Sequence, residues 1–114
     1  MDVKQILTMC DHTLLKQEAT WEQIRQLCDD GVRYGCASAC IPPSFVAQAA
    51  QYLAGALPVC TVIGFPNGYC TTAVKCFEAA TAVADGAQEI DMVIHLGWVK
   101  EGKYDAVQAE IEAV

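Results

Sequence analysis

The sequence predicts an α/β protein built on parallel strands. Short, nearly unbroken apolar runs alternate with amphipathic helical stretches, and glycine or proline stands at most of the junctions. Parallel strands cannot be joined by a tight turn and need a crossover, which the intervening helices supply. With 114 residues the chain has room for one core, since domains typically run to about 100–150 residues.

Taken in order, Leu7-Thr8-Met9-Cys10 followed by Asp11-His12-Thr13 reads as a first short strand. Thr20-Trp21-Glu22-Gln23 is a capping box, in which the Thr20 hydroxyl and the Gln23 side chain each satisfy an orphan amide, so a helix begins at Trp21. Trp21, Ile24, Leu27 and Cys28 recur at helical spacing and Gly35 offers a left-handed stop. Ala37 to Ile41 is the second strand, closed by Pro42-Pro43, and the helix beyond carries Phe45, Val46, Ala49, Ala50 and Leu53 inward. After Gly55 and Pro58, Val59-Cys60-Thr61-Val62-Ile63 is β-branched and apolar, as a strand buried on both faces should be. The loop Gly64 to Tyr69 leads to a helix from Thr71 or Thr72 that presents Ala73, Val74, Phe77, Ala80 and Ala84 on one side and stops at Gly86. The fourth strand runs Glu89 to Ile94. A last helix, Tyr104 to Val114, puts Tyr104, Val107, Ile111 and Val114 in phase.

Composition removes several function classes. Seven Lys+Arg against fourteen Asp+Glu leave a net charge of −7, so the basic stripe that grips a nucleic-acid backbone is missing and no nucleic-acid partner is expected. No run approaches the ~18 apolar residues of a membrane span, and the N-terminus lacks a signal peptide's basic start and apolar stretch. A cytoplasmic protein with no membrane partner is expected. The seven cysteines contain no C-x-x-C pair, which fits neither a zinc cage nor a thioredoxin-like motif, and most lie in apolar segments where a free thiol packs as a small hydrophobe. The glycine-rich Gly64-Phe65-Pro66-Asn67-Gly68 lacks the spacing of a phosphate-cradling P-loop.

Four motifs in register, Asp11-His12-Thr13-Leu14-Leu15-Lys16, Cys40-Ile41-Pro42-Pro43, Val62 to Gly68 and Glu89-Ile90-Asp91-Met92-Val93-Ile94, resemble the deoxyribose-phosphate aldolase family over essentially the whole chain. The resemblance implies a class I aldolase on a (β/α)8 TIM barrel. Its reaction is reversible cleavage of 2-deoxy-D-ribose 5-phosphate to acetaldehyde and glyceraldehyde 3-phosphate through a lysine Schiff base, with no metal and no cofactor. Such barrels need roughly 200–250 residues or more, so this chain amounts to half of one. Residues 1–114 are expected to form a single N-terminal half-barrel domain, four parallel strands with flanking helices, ending within the helix after the fourth strand. By the family's pattern the Schiff-base lysine, its partner lysine and the phosphate site belong to later strands, and none is present here.

Within that resemblance Asp91 matches the aspartate that assists proton transfer. Strand alternation sets it with Val93 on one side, pointing into the barrel, where a carboxylate is costly to bury unpaired. Asp11 looks like the second family aspartate, Thr13 a substrate-facing hydroxyl, and Cys40 a cysteine near the pocket that packing also explains. Lys16 and Lys75 are the lysines nearest these motifs. An amine must lose its proton to form a Schiff base, and nothing around either shows how it would, so Lys16 reads as an ionic contact and Lys75 as an orienting residue for the Gly64–Tyr69 loop. His95, Cys70 and Cys36 depart from residues more usual in the family. An open four-stranded sheet leaves two edges unpaired, so a homodimer or larger assembly is expected. A separate polypeptide could also supply the missing half, and an inactive half-barrel module is the alternative to an aldolase by descent.

Overall fold

The computed structural model describes residues 1–114. A four-stranded parallel sheet of β1 (Asp11–Thr13), β2 (Ser38–Ile41), β3 (Val59–Ile63) and β4 (Glu89–Met92) runs in sequence order. The helices are α1 (Val3–Leu7), α2 (Trp21–Tyr34), α3 (Val46–Leu53, entered through a 3-10 turn at Pro43–Phe45), α4 (Thr72–Asp85), α5 (Leu96–Lys100) and α6 (Tyr104–Ala113). No helix is long and apolar enough to cross a membrane.

Local chemistry accounts for most boundaries. The Thr20 hydroxyl accepts the Gln23 amide and the Gln23 side chain accepts the Thr20 amide, and α2 ends on Gly35 at φ 65°. Pro42 and Pro43 end β2 because neither can donate to a ladder, and Pro43 sits in the first turn that follows. The register pairs Asp11 with Ser38, Thr13 with Cys40, Cys40 with Cys60, and Val62 with Asp91.

The two faces of the sheet differ. Ala39, Ile41, Val59 and Ile63 point to the helices, where they join Ile24, Leu27, Cys28, Val46, Ala49, Leu53, Ala79 and Ala82 in one buried cluster of fourteen residues. Trp21 is half-buried at its margin, against Phe45 and Tyr52. On the other face only Cys40, Cys60 and Val62 cluster, with Leu15 packed against them. The core therefore lies between sheet and helices, and the second face is open.

Several expectations need correction. Leu7–Cys10 is not strand: Asp2 and Gln5 form a capping box that starts α1, and Thr8 to Cys10 turn the chain, so β1 holds only Asp11–Thr13. The strand β4 stops at Met92 rather than Ile94, because α5 begins at Leu96 with the His95 ring as its cap. The expected inward face of α4 is its outward one. Val74 and Phe77 are 54% and 76% exposed, while Lys75, Ala79 and Ala82 are buried. In α6 the buried residue is Glu110, and Tyr104 and Ile111 are exposed. One physical cause covers both helices. The buried carboxylate of α6 must meet a cation, and Lys75 of α4 is that cation.

Candidate active site

Strand alternation brings Asp11 and Thr13 of β1, Ser38 and Cys40 of β2, Cys60 and Val62 of β3, and Glu89 and Asp91 of β4 onto the open face. Every expected site residue is thus on one side of one sheet, although the four come from three strands. The Ser38 hydroxyl donates to Asp11 Oδ1 at 2.6 Å and the Thr13 hydroxyl to the Asp11 carbonyl at 2.8 Å. The first bond fixes the Asp11 carboxylate across the β1–β2 seam. Asp91 was expected to be buried and is exposed instead, since nothing covers this face and water solvates its charge.

Behind the carboxylates lie two thiols. Cys40 and Cys60 are fully buried, and their sulfurs and an Asp91 oxygen lie within 4.8 Å of one another. Burial pushes the Cys40 thiol above its usual range, and the Asp91 and Asp11 carboxylates push the same way against hydrogen bonds with Cys60 and Thr13. Burial pushes Cys60 further up, with Cys40, Asp91 and Asp11 adding to it. Both are therefore protonated at neutral pH and poor nucleophiles. Cys40 packs against Cys60 and Val62, and Cys40, Cys60 and Asp91 are the groups spaced closely enough to hold a cation.

None of the strand residues on this face is a lysine, arginine or histidine, and His12 alternates to the helix side with Ala39. Lys16 is exposed and has no carboxylate within ion-pair distance. Lys75 is fully buried but spoken for. Its ammonium donates to the Gly68 carbonyl at 2.7 Å, to the Val93 carbonyl at 2.9 Å and to Glu110 Oε1, and the Thr72 hydroxyl donates to Glu110 Oε2 at 2.7 Å. Three acceptors engage all three of its N–H bonds, so Lys75 serves as a structural contact. The same bonds tie the Gly64–Tyr69 loop to the end of β4, and Glu78 adds another by accepting the Gly64 amide at 2.8 Å. His95 stacks on Trp98 at 4.4 Å and accepts the Trp98 amide through Nδ1, so this ring caps a helix.

Comparison with known proteins follows the same residues. A deoxyribose-phosphate aldolase from Streptococcus pyogenes serotype M5 is 55% identical over all 114 residues. A crystal structure from Coccidioides immitis, provisionally assigned to the same enzyme, superposes on 99% of this chain with a TM-score of 0.94 and 40% identity. Over its whole length the chain is similar to deoxyribose-phosphate aldolases. It spans about half the length of these relatives, 51% of the streptococcal protein and 45% of the fungal chain. The fold is accordingly half of a (β/α)8 barrel, its open face the one that lines the barrel interior. A tetrameric deoxyribose phosphate aldolase from Aeropyrum pernix matches 96% of this chain and 49% of its own, with a TM-score of 0.80 and 30% identity. No family model matches the chain.

Sequence reasoning missed Ser38, Cys60, Glu89 and Glu110. Ser38, Cys60 and Glu89 sit opposite Asp11, Cys40 and Cys60 in the ladder, a relation that requires the register. Glu110 lies 35 residues from Lys75, and its only sequence signal is a carboxylate one position from the apolar phase of its helix.

Proposed function

We propose that this chain carries the proton-transfer side of a class I aldolase site acting on 2-deoxy-D-ribose 5-phosphate, and that it does not turn over alone. The observation behind this is the open face, which gathers Asp11, Thr13, Cys40 and Asp91 and contains no amine. Asp91, exposed and next to the Cys40 and Cys60 thiols, would relay a proton to or from the carbon undergoing carbon–carbon cleavage. Asp11, held by the Ser38 hydroxyl, would support that relay, with Thr13 and Cys40 shaping the substrate's place. The carbinolamine and imine need an unprotonated lysine, which in this reading comes from a complementary half together with the phosphate site. That half is a separate polypeptide, since a second copy could close the sheet but brings no lysine that this chain lacks.

Packing supports the incompleteness. A groove of about 850 Å³ beside β4 is lined by hydrophobic residues, among them Val83, Ile90, Met92, Ile94, Ile111 and Val114. Surface of this kind normally meets another element.

The test is reductive trapping. The pure chain is incubated with acetaldehyde or 2-deoxyribose 5-phosphate, treated with borohydride and weighed intact. No added mass is expected, and a reduced imine adduct on the isolated chain would overturn the claim that its own lysines are silent. The chain is then mixed with the part of the streptococcal relative that it does not match. Cleavage activity is expected to appear and to be lost in Asp91→Asn; activity unaffected by that substitution would remove Asp91 from the mechanism. A complex that forms yet neither traps nor cleaves would favour the inactive half-barrel module, for which the committed state of Lys75 already speaks.

A further inference from the structure

The free edge of the sheet at β4 combines three features that one kind of occupant satisfies together. The Val93 amide donates to the Ile63 carbonyl. Bonding directions alternate along a strand, so the N–H and C=O groups of Ile90 and Met92 turn away from β3 toward the open edge. The side chains of the same two residues line the groove, with Val83 of α4 and Ile111 of α6 exposed along its walls. On the opposite face Glu89 is exposed and takes part in none of the chain's salt bridges. We propose that this edge takes up an extended segment of a separate polypeptide in which apolar and cationic residues alternate. The segment adds a strand to β4, fills the groove on one side and sets a lysine or arginine beside Glu89 on the other. This edge chemistry is independent of the aldol reading.

Each part of the pattern has its own physical cause. Main-chain pairing with an exposed edge supplies the attachment, and the side chains that flank it supply the selection. Every second residue of the added strand falls over Ile90 and Met92, where a polar group would be buried without a partner and an apolar one is not penalised. The residues between them fall on the side of Glu89. Opposite charges on neighbouring strands stabilise a sheet and like charges destabilise it, so a cation is favoured there and a carboxylate rejected. Asp85 and Glu112, exposed beside the groove residues Val83 and Ile111, extend the acidic rim and also lack an ion-pair partner. A second copy would offer its β1, which carries Asp11 and Thr13 on one side and His12 on the other. That strand brings another carboxylate to the face of Glu89 and Asp91 and an imidazole to the apolar groove, so a cationic strand displaces it.

The test titrates the full chain with a capped, fluorescent peptide of alternating lysine and valine, about six residues long, and reads anisotropy up to millimolar peptide. Saturable binding of one peptide per chain is expected, weakening as salt rises, with slowed hydrogen exchange at the Ile90 and Met92 amides. A glutamate–valine peptide of the same spacing and a lysine–valine peptide of shuffled order should each bind severalfold more weakly. Val83→Asp, an exposed side chain on the groove wall, should weaken binding too, whereas Val32→Asp, equally open to solvent on α2, should not. Glu89→Lys should shift the preference toward the glutamate–valine peptide. Absence of binding, or binding indifferent to residue order and to Glu89→Lys, would overturn the proposal. So would a dimer that light scattering finds undisturbed by the peptide, since the edge would then belong to a second copy.

Discussion

At the scale of single residues, the most consequential side chain outside the open face is Lys75, a fully buried amine balanced by Glu110 and two carbonyls. Removing one member of such a pair strands the other charge in a poor solvent, so Glu110→Gln or Lys75→Met should cost about 3–5 kcal/mol. The joint replacement Lys75→Met with Glu110→Leu should restore much of that loss, as apolar replacement of a buried pair often does. Urea unfolding of the three variants measures both effects, and a double variant as unstable as the singles would mean that the hydrogen bonds to Gly68 and Val93 dominate. The pair also sets a pH dependence. Burial alone would raise the Glu110 carboxyl, but the Lys75 and Thr72 hydrogen bonds and the Lys75 charge outweigh it and hold the group below its ordinary value. Its contribution is therefore full above the unfolded carboxylate pKa of about 4.3 and fades as pH falls through the lower folded value. Between pH 5 and roughly pH 3 the wild type should lose more stability than Glu110→Gln, whose amide does not titrate. Parallel acid curves for the two would sink this account.

At the scale of elements, the loop between β3 and α4 is held where backbone groups come unusually close. Gly68 has φ 75°, and a Cβ there would stand 2.2 Å from the Ile94 carbonyl oxygen. Gly35 is also left-handed, at φ 65°, but a Cβ there meets nothing within 4 Å. Replacing Gly35 by alanine should therefore cost only the conformational term of about 1–2 kcal/mol, whereas Gly68→Ala adds a clash with backbone that cannot step aside. The contrast is read from paired melting curves, and equal losses would deny the close approach at Ile94. Capping was readable at this scale. The Thr20–Gln23 box and the stops at Gly35 and Gly86 are local chemistry, and the structure carries all three. The Asp2–Gln5 box obeys the same rule, but its five-residue helix has too little periodicity to compete with a strand reading of Leu7–Cys10. The inward face of α4 was misread because Ala73, Val74, Phe77, Ala80 and Ala84 are more apolar than the stripe that contains Lys75. The polar partner that reverses the choice lies on another helix.

At the scale of the whole molecule, a sheet with both edge strands unpaired and one face open invites association. A second copy could pair β1 with β4 about a two-fold axis and close an eight-stranded barrel, the arrangement that a self-complementary interface makes most accessible. Light scattering at low micromolar concentration should then find a dimer or larger species, with a melting temperature that rises with protein concentration. A monomer whose melting temperature ignores concentration would argue that a different polypeptide supplies the missing half.

By itself the sequence determined the class of fold, the order and direction of the strands, most helix boundaries and the resemblance to the aldolases. These depend on hydrophobic period, capping chemistry and motif spacing, which act within a few residues of each other along the chain. The tertiary structure alone decided which residues share the open face, that Asp91 lies solvated there beside two thiols, that no amine accompanies it, and that Lys75 is consumed by Glu110. Those facts arise from strand register and from helices meeting 35 positions apart. Burial and charge pairing between such distant segments leave no periodic trace in a single chain.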